Sequence, residues 1–319
     1  MRAVERVAVV QRDVNLSGSI ERDAFLLVRE LVALGLDVHV YCNPQTRTDR
    51  LDGATFHDVR PLVRSASRAG RALELASFAA AATRALRDDR SRRPYDVVDV
   101  NGVAAWDQDV VRVHEVVAAA QRRWPQEAGR GYRAARARAA AAPVLRPQLA
   151  AARRIQSLQF RPGAYAGALA VSEEVRDDLV ETFGVPAERI AVVPLAVDLA
   201  PVARDTRERI REGLAVGRDD PLLLFVGHAF RRKGLPEAID ALAGLPRAAH
   251  LVVVGEGRNG ERREAAGRAQ AAGIATHVHF VGVQEDVAPY YAAADVFVLP
   301  TSHDTWGVPV IEAMWTGLP

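Results

Sequence analysis

The sequence predicts an α/β protein built as two doubly wound, Rossmann-like domains, each a parallel sheet covered by helices on both faces. Three observations carry that expectation. Short apolar runs alternate with helical patterns along almost the whole chain. At 319 residues the chain exceeds one comfortable core. The periodicity lapses once near the middle, over Leu195–Arg204, a hinge that follows Pro194 and contains Pro201. This places the domains at 1–197 and 198–319.

In the first domain Arg6–Val10 (RVAVV) reads as a buried strand. Ile20–Leu34 follows as a helix, with Phe25, Val28, Leu31 and Val32 at helical spacing, and Gly35 stops it. Asp37–Tyr41 is the next strand, and strand patterns recur at Ala54–Val59, Asp96–Val100, Val110–Val113, Ala168–Val171 and Ile190–Val193. Helices are expected at Gly70–Asp88 and Glu173–Phe183. Ser172 is a natural N-cap for the latter, with Glu173 and Glu174 where the helix dipole favours acids. The second domain repeats the alternation. Strands are expected at Leu222–Val226, His250–Val254, Val278–Val281 and Val296–Leu299, and helices at Leu235–Ala243, Gly260–Ala272, Val287–Ala293 and Val308–Trp315.

Composition excludes several classes. Apolar residues make up 49% and charged residues 26%, as in a water-soluble globular protein. A net charge of +2 is too small to imply nucleic acid as a partner. No apolar run reaches the roughly 20 residues of a membrane span, and the chain enters its first strand without a signal-peptide pattern. The one cysteine, Cys42, cannot form an internal disulfide and reads as a small buried apolar residue. A cytoplasmic protein is expected. The segment 121–162 stands apart, with ten arginines against one acid, Glu127. Such a run reads as a solvated helix face. Its functional alternative is a cationic face for an anionic acceptor or an acidic membrane surface, which would place the protein on the inner face of the plasma membrane.

Two constellations carry chemistry. In Phe225–Pro236 a buried strand ends at Gly227, followed by His228, and a helix begins near Leu235 with Pro236 in its first turn. Arg231, Arg232 and Lys233 crowd that helix N-terminus, whose free N–H groups and dipole favour a diphosphate. Lys233 is also the only lysine in the chain, although Lys and Arg together number 42. A compact ammonium at this point suggests a site that distinguishes it from the arginine fork. In the second, Val298–Met314, another strand opens through a loop into a helix with an early proline. Asp304 precedes that helix and Glu312 lies inside it, two acceptors for sugar and ribose hydroxyls. The amides near Gly307 and Val308 are uncommitted donors.

From Leu222 to Pro319 these motifs resemble the donor half of glycosyltransferase family 4, the retaining GT-B enzymes. The likeness runs in order through the Lys233-Gly234 turn and the Val254-Gly255-Glu256-Gly257 turn. It continues through the strand Val278–Gly282, with Val281, and Ala294–Pro300. It ends in an acid-x7-Glu signature from Asp304 to Glu312, then Ala313-Met314 and Gly317-Leu318-Pro319. In the first half, Gly18–Arg22 is similar to the family's glycine-rich loop, and His114 falls where the family often has a cleft histidine.

The resemblance implies a GT-B fold in which an N-terminal acceptor-side domain faces a donor domain across a cleft. It implies transfer of a sugar from a nucleotide-diphosphate sugar to a hydroxyl of a glycan, lipid or small molecule. Configuration would be retained, with no metal or other cofactor. Lys233, Arg232, His114 and Asp304 are the implied catalytic residues. Gly18, Gly227, His228, Gly255, Glu256, Val281, Trp306, Gly307, Val308 and Glu312 are implied to bind the donor. The signature opens with Asp304 where the family has glutamate, and His228 stands where an arginine often follows the glycine. The family continues beyond the equivalent of Pro319 with another strand and helices, so the second domain is expected to lack its last elements. A nucleotide-sugar-binding protein without transfer activity is the alternative from another class. A metal-dependent GT-A enzyme is the rival within catalysis. It would use Asp107-Gln108-Asp109, although this triplet precedes a strand rather than following one. His277 and His279 share one face of a strand and read as solvated.

Overall fold

Seven strands in the N-terminal half and four in the C-terminal half pair exclusively in parallel among the described residues. The computed structural model describes residues 3–16, 18–47, 51–63, 67–127, 147–245, 249–258 and 260–319. The chain divides into two compact units, Met1–Ala196 and Val197–Pro319.

In the first unit the sheet order is β3-β2-β1-β4-β5-β6-β7. The strands are β1 (Arg6–Val10), β2 (Asp37–Cys42), β3 (Thr55–Asp58), β4 (Val97–Asn101), β5 (Val110–Val113), β6 (Gly167–Ala170) and β7 (Ile190–Val192). Alternation along β1 explains both layers. Val7 and Val9 join Phe25, Leu26 and Val28 of α1 (Ser19–Ala33), whereas Ala8 and Val10 meet Phe78, Ala82 and Leu86 of α2 (Arg68–Arg92). The order reverses between β1 and β4, the switch point where such sheets open a crevice at their carboxyl ends. Cys42 is fully buried, and burial pushes its thiol up to about 12, so it packs as an inert apolar residue. Ser172 caps α5 (Glu173–Phe183) by accepting from the Val175 amide at 3.3 Å.

Among the described residues, α3 (Val117–Glu127) runs into the arginine-rich stretch and α4 (Pro147–Gln159) lies within it. In α4 Ala152 and Ile155 share a core cluster with Leu75 and Ala79 of α2, and buried glutamines add polar anchors. The Gln159 amide donates to the Gly102 and Ala105 carbonyls, both at 2.8 Å, and Gln156 bonds the Val117 amide and the Glu115 carbonyl. Part of the positive charge is spent locally. Arg123 holds Asp178 in a two-pronged pair at 2.8 Å and also meets Glu174. Arg153 and Arg154 are exposed, while Arg130, Arg133, Arg136, Arg138 and Arg146 lie outside the described residues.

The second unit has sheet order β10-β9-β8-β11, with β8 (Leu222–Val226) and β9 (His250–Val254) central, and β10 (Val278–Gly282) and β11 (Val296–Phe297) flanking. Leu223, Phe225, Leu251 and Val253 pack against α7 (Leu235–Ala243) and α8 (Glu261–Ala271). Leu222, Leu224, Val252 and Val254 face Tyr291 of α9 (Ala288–Ala293) and Ala313 of α10 (Val308–Trp315). Full burial of one side chain such as Phe225 contributes about 1.5–3 kcal/mol.

Helix α6 (Thr206–Gly213) has no counterpart in the sequence reading, because its sequence TRERIREG carries one apolar residue. It is held by charge instead. Arg211, 3% exposed, donates to the carbonyls of Ala293, Gly217 and Asp220 and reaches the Asp295 carboxylate at 3.4 Å. Arg207 bonds Asp295 and the Ala294 carbonyl. Burial pushes the Asp295 carboxyl up, but the Leu222 amide and these two arginines outweigh it and hold it below the usual carboxylate range. Replacing Arg211 with Met should therefore cost about 3–5 kcal/mol, the scale of stranding buried partners of a charge. Urea unfolding measures this, and a loss under about 1 kcal/mol would show that the network is dispensable.

Candidate active site

Three loops of the second unit converge at the carboxyl edge of its sheet. The first runs from β8 to α7, the second from β9 to α8, and the third from β11 to α10. Backbone hydrogen bonds join them directly. The Gly227 amide donates to the Val254 carbonyl at 2.9 Å, and the Gly255 amide to the Gly282 carbonyl at 2.7 Å. The Arg232 carbonyl accepts from the Ser302 amide at 3.1 Å and from the Thr301 hydroxyl at 3.2 Å. Gly234 and Gly255 permit this approach. Both have positive φ, and a Cβ would strike the Pro300 carbonyl at the first and the Gly227 carbonyl at the second.

The knot sets the charged groups. Lys233 is 7% exposed, its stem lies over Gly227, and its ammonium pairs with the Asp304 carboxylate. The two residues singled out from separate motifs thus meet in one ion pair. Arg232 is exposed and donates to the His303 carbonyl at 2.7 Å. His228 is exposed, and its Nδ1 accepts from the Glu256 amide at 3.4 Å. Glu256 and Val281 are half-buried nearby in sequence order on the β9 and β10 sides. Gly307 caps α10 with φ 67°, and Pro309 occupies the first turn, so the amides there have no side-chain cap. Helix α7 starts likewise from Gly234, with Pro236 in its first turn. Trp306 is half-buried, and its indole Nε1 has no hydrogen-bond partner among the described residues. Glu312 is 3% exposed and accepts from the Tyr291 hydroxyl at 2.8 Å.

In the first unit, Gly18 caps α1 in an extended conformation, and its carbonyl accepts from the Arg22 amide at 2.9 Å. His114 is buried at the end of β5, where its Nε2 lies 2.6 Å from Asn101 Oδ1. Burial, helped by the Arg112 charge, pushes His114 down to about 4. The ring is neutral at pH 7, with Nε2–H donating to Asn101. Its Nδ1 is then an acceptor without a partner among the described residues.

Sequence reasoning missed what lies beneath. Arg112 reaches Asp99 at 3.3 Å and Asp23 at 3.6 Å, all three being buried, and burial pushes both carboxyls up. The signal was period-two polarity: Asp99 and Asn101 alternate on β4, as Arg112 and His114 do along the adjacent strand.

The rival motif resolves differently. Asp107 and Asp109 precede β5 and pair with Arg87 and Arg90, at 3.2 Å and 2.7 Å. Among the described residues no three His, Cys, Asp or Glu side chains are grouped to hold a metal ion. His277 and His279 are half-buried rather than solvated, because His279 bonds the His250 ring at 2.9 Å.

His114 makes a pH prediction. A histidine whose folded pKa is lowered contributes stability above its unfolded pKa near 6.5, which is lost as pH falls toward about 4. His39, His57, His250 and His279 are also lowered, by burial first, and act in the same direction. The melting temperature should fall between pH 6.5 and 4, and His114→Gln should flatten that slope. An unchanged slope in the variant would contradict the buried neutral ring.

Comparisons with known proteins bear on the family and the fold. The model of Glycosyltransferase Family 4 matches residues 20–201, and that of Glycosyl transferases group 1 matches residues 206–319. A D-inositol 3-phosphate glycosyltransferase of Xylanimonas cellulosilytica is 35% identical over 161 residues, 47% of this chain and 39% of that protein. The lipopolysaccharide glucosyltransferase WaaG of Escherichia coli is 28% identical over 168 residues, 50% of this chain and 44% of its own. The matched stretches thus span well under half of these curated relatives. The crystal structure of WaaG superposes with TM-score 0.74 at 25% identity, covering 98% of this chain and 80% of that one. Anabaena HepE, solved in complex with UDP and glucose, has the same fold at TM-score 0.66 and 15% identity, over 99% of this chain and 79% of its own. No helix among the described residues is long and apolar enough to cross a membrane. The fold and a family match across more than half of its length agree, and the chain belongs to Glycosyltransferase Family 4.

Proposed function

We propose that this chain serves a glycosyltransferase that moves a sugar from a nucleotide-diphosphate sugar to an acceptor hydroxyl, with retention of configuration and without a metal. The observation that carries the reading is the Lys233–Asp304 pair at the start of α7, its lysine buried and its carboxylate half-buried, where three loops meet beside Arg232. A diphosphate brings at least two negative charges to an ammonium now shared with one carboxylate. It outcompetes Asp304 and takes in addition the dipoles of α7 and α10. Asp304, released, accepts hydroxyls of the transferred sugar, and the Trp306–Val308 amides complete its cradle. Glu312 receives the ribose. As the glycosidic bond breaks, Lys233 and Arg232 stabilise the departing diphosphate, a preorganised electrostatic contribution. The UDP complexes of HepE support a nucleotide-sugar donor by analogy of fold.

The acceptor is assigned to the first unit. A neutral His114 suits a hydrogen-bond acceptor for a hydroxyl better than a proton donor. The exposed Arg153 and Arg154 suit an anionic acceptor or an acidic membrane surface.

Lys233→Ala and Glu312→Ala should each lower transfer at least about a hundredfold, the scale of one lost transition-state donor, and EDTA should leave transfer unchanged. A panel of nucleotide sugars would be screened first by thermal shift. A true donor at about 100 times its Kd adds roughly 2.7 kcal/mol to stability. Near-normal transfer in either folded variant would remove the site assignment.

Asp304→Ala gives an opposite signature. Freed of its competitor, Lys233 should bind UDP about fivefold tighter or better, while sugar transfer falls. Calorimetry with UDP decides this, and weaker binding by the variant would refute the exchange of partners.

A further inference from the structure

The carboxylate assigned to the ribose does not stand alone. Glu312 is 3% exposed on α10, and Tyr291 of α9 is 1% exposed, with its hydroxyl 2.8 Å from Glu312 Oε2 and 3.1 Å from the Pro309 carbonyl. A phenol has one proton, so the two acceptors compete. The nearer and charged one takes it, because a hydrogen bond to a carboxylate is about twice as strong as one to a neutral oxygen. The ring is fully enclosed. It belongs to one core cluster with Leu222, Leu224, Val252 and Ala313 and lies 6.0 Å from the Phe297 ring. Tyr291 is therefore a rigid post, planted in the core, whose only polar atom ends at the carboxylate. A buried tyrosine needs a partner for its hydroxyl, but any carbonyl of the adjacent helix would satisfy that need. Here it reaches past the Pro309 carbonyl to a side chain on the next turn.

We infer that Tyr291 is a positioning residue for donor recognition, fixing the rotation of the Glu312 carboxylate so that it meets the ribose hydroxyls of the nucleotide. This rests on the proposed assignment of Glu312 to the ribose. A terminal carboxylate torsion is broad and roughly two-fold, and the Tyr291 hydroxyl favours the rotation in which Oε2 faces it. Tyr291 touches no substrate and acts entirely through Glu312.

Tyr291→Phe removes one oxygen and keeps the ring in its packing. UDP, 2′-deoxy-UDP and 3′-deoxy-UDP are titrated calorimetrically into the wild-type chain, Tyr291→Phe, Glu312→Ala and the double variant, with thermal melts confirming folding. In the wild type UDP should bind about tenfold tighter than either deoxy analogue. Tyr291→Phe should lose most of that preference by weakening UDP alone. The double variant should bind no more weakly than Glu312→Ala, the signature of two residues acting as one unit. In a transfer assay KM for the donor should rise with kcat within about twofold. If Tyr291→Phe keeps the full ribose preference, or weakens all three ligands equally and adds to Glu312→Ala, the tyrosine is merely structural and the inference is overturned. If Glu312→Ala itself retains the preference, the ribose assignment fails, and the inference falls with it.

Discussion

Backbone meeting backbone is the constraint on which the second unit's chemistry depends. At Gly234 and Gly255 no side chain fits, because each passes against the carbonyl of a neighbouring loop. That contact brings the end of β8 under the loop that leaves β11, and it brings Lys233 to Asp304. Loops usually carry function on a scaffold that holds them still. Here the loops also hold one another, so the backbone from which Lys233, Asp304 and the two helix N-termini project is fixed by contact between loops.

Much of the fold was legible because parallel strands buried on both faces leave a strong trace. LLLFV at β8 and HLVVV at β9 coincide with the strands as they stand, and α5, α7 and α10 begin and end where capping residues and prolines indicate. The miss at α6 has a physical cause: arginine and carbonyl groups stabilise that helix rather than an apolar stripe, so a search for hydrophobic periodicity passes over it. Polar specificity of that sort becomes visible only when partners far apart in sequence, such as Arg211 and Asp295, are brought together.

The site follows the same division. Motif order singled out Lys233, Asp304 and Glu312 as candidates, since each sits at or near a strand-to-helix transition with recognisable turn chemistry. It could not reveal that Lys233 and Asp304 neutralise one another, because 71 positions separate them in the chain. Nor could it reveal Tyr291, whose helix reads as plain core. In the first unit the Asp23–Arg112–Asp99 cluster lies under His114 as a buried ionic layer. A layer of that kind costs desolvation energy and contributes a defined arrangement of strand ends in return.

The solitary lysine has one more consequence, and it concerns reactivity. In a chain that otherwise writes its cations as arginine, Lys233 is the only side-chain amine, and it is buried in an ion pair. Amine-directed reagents therefore meet a single internal target, shielded while Asp304 holds it. Acylation at this one nitrogen would report, as a mass change on one peptide, whether the pair is closed, opened or replaced by a phosphate.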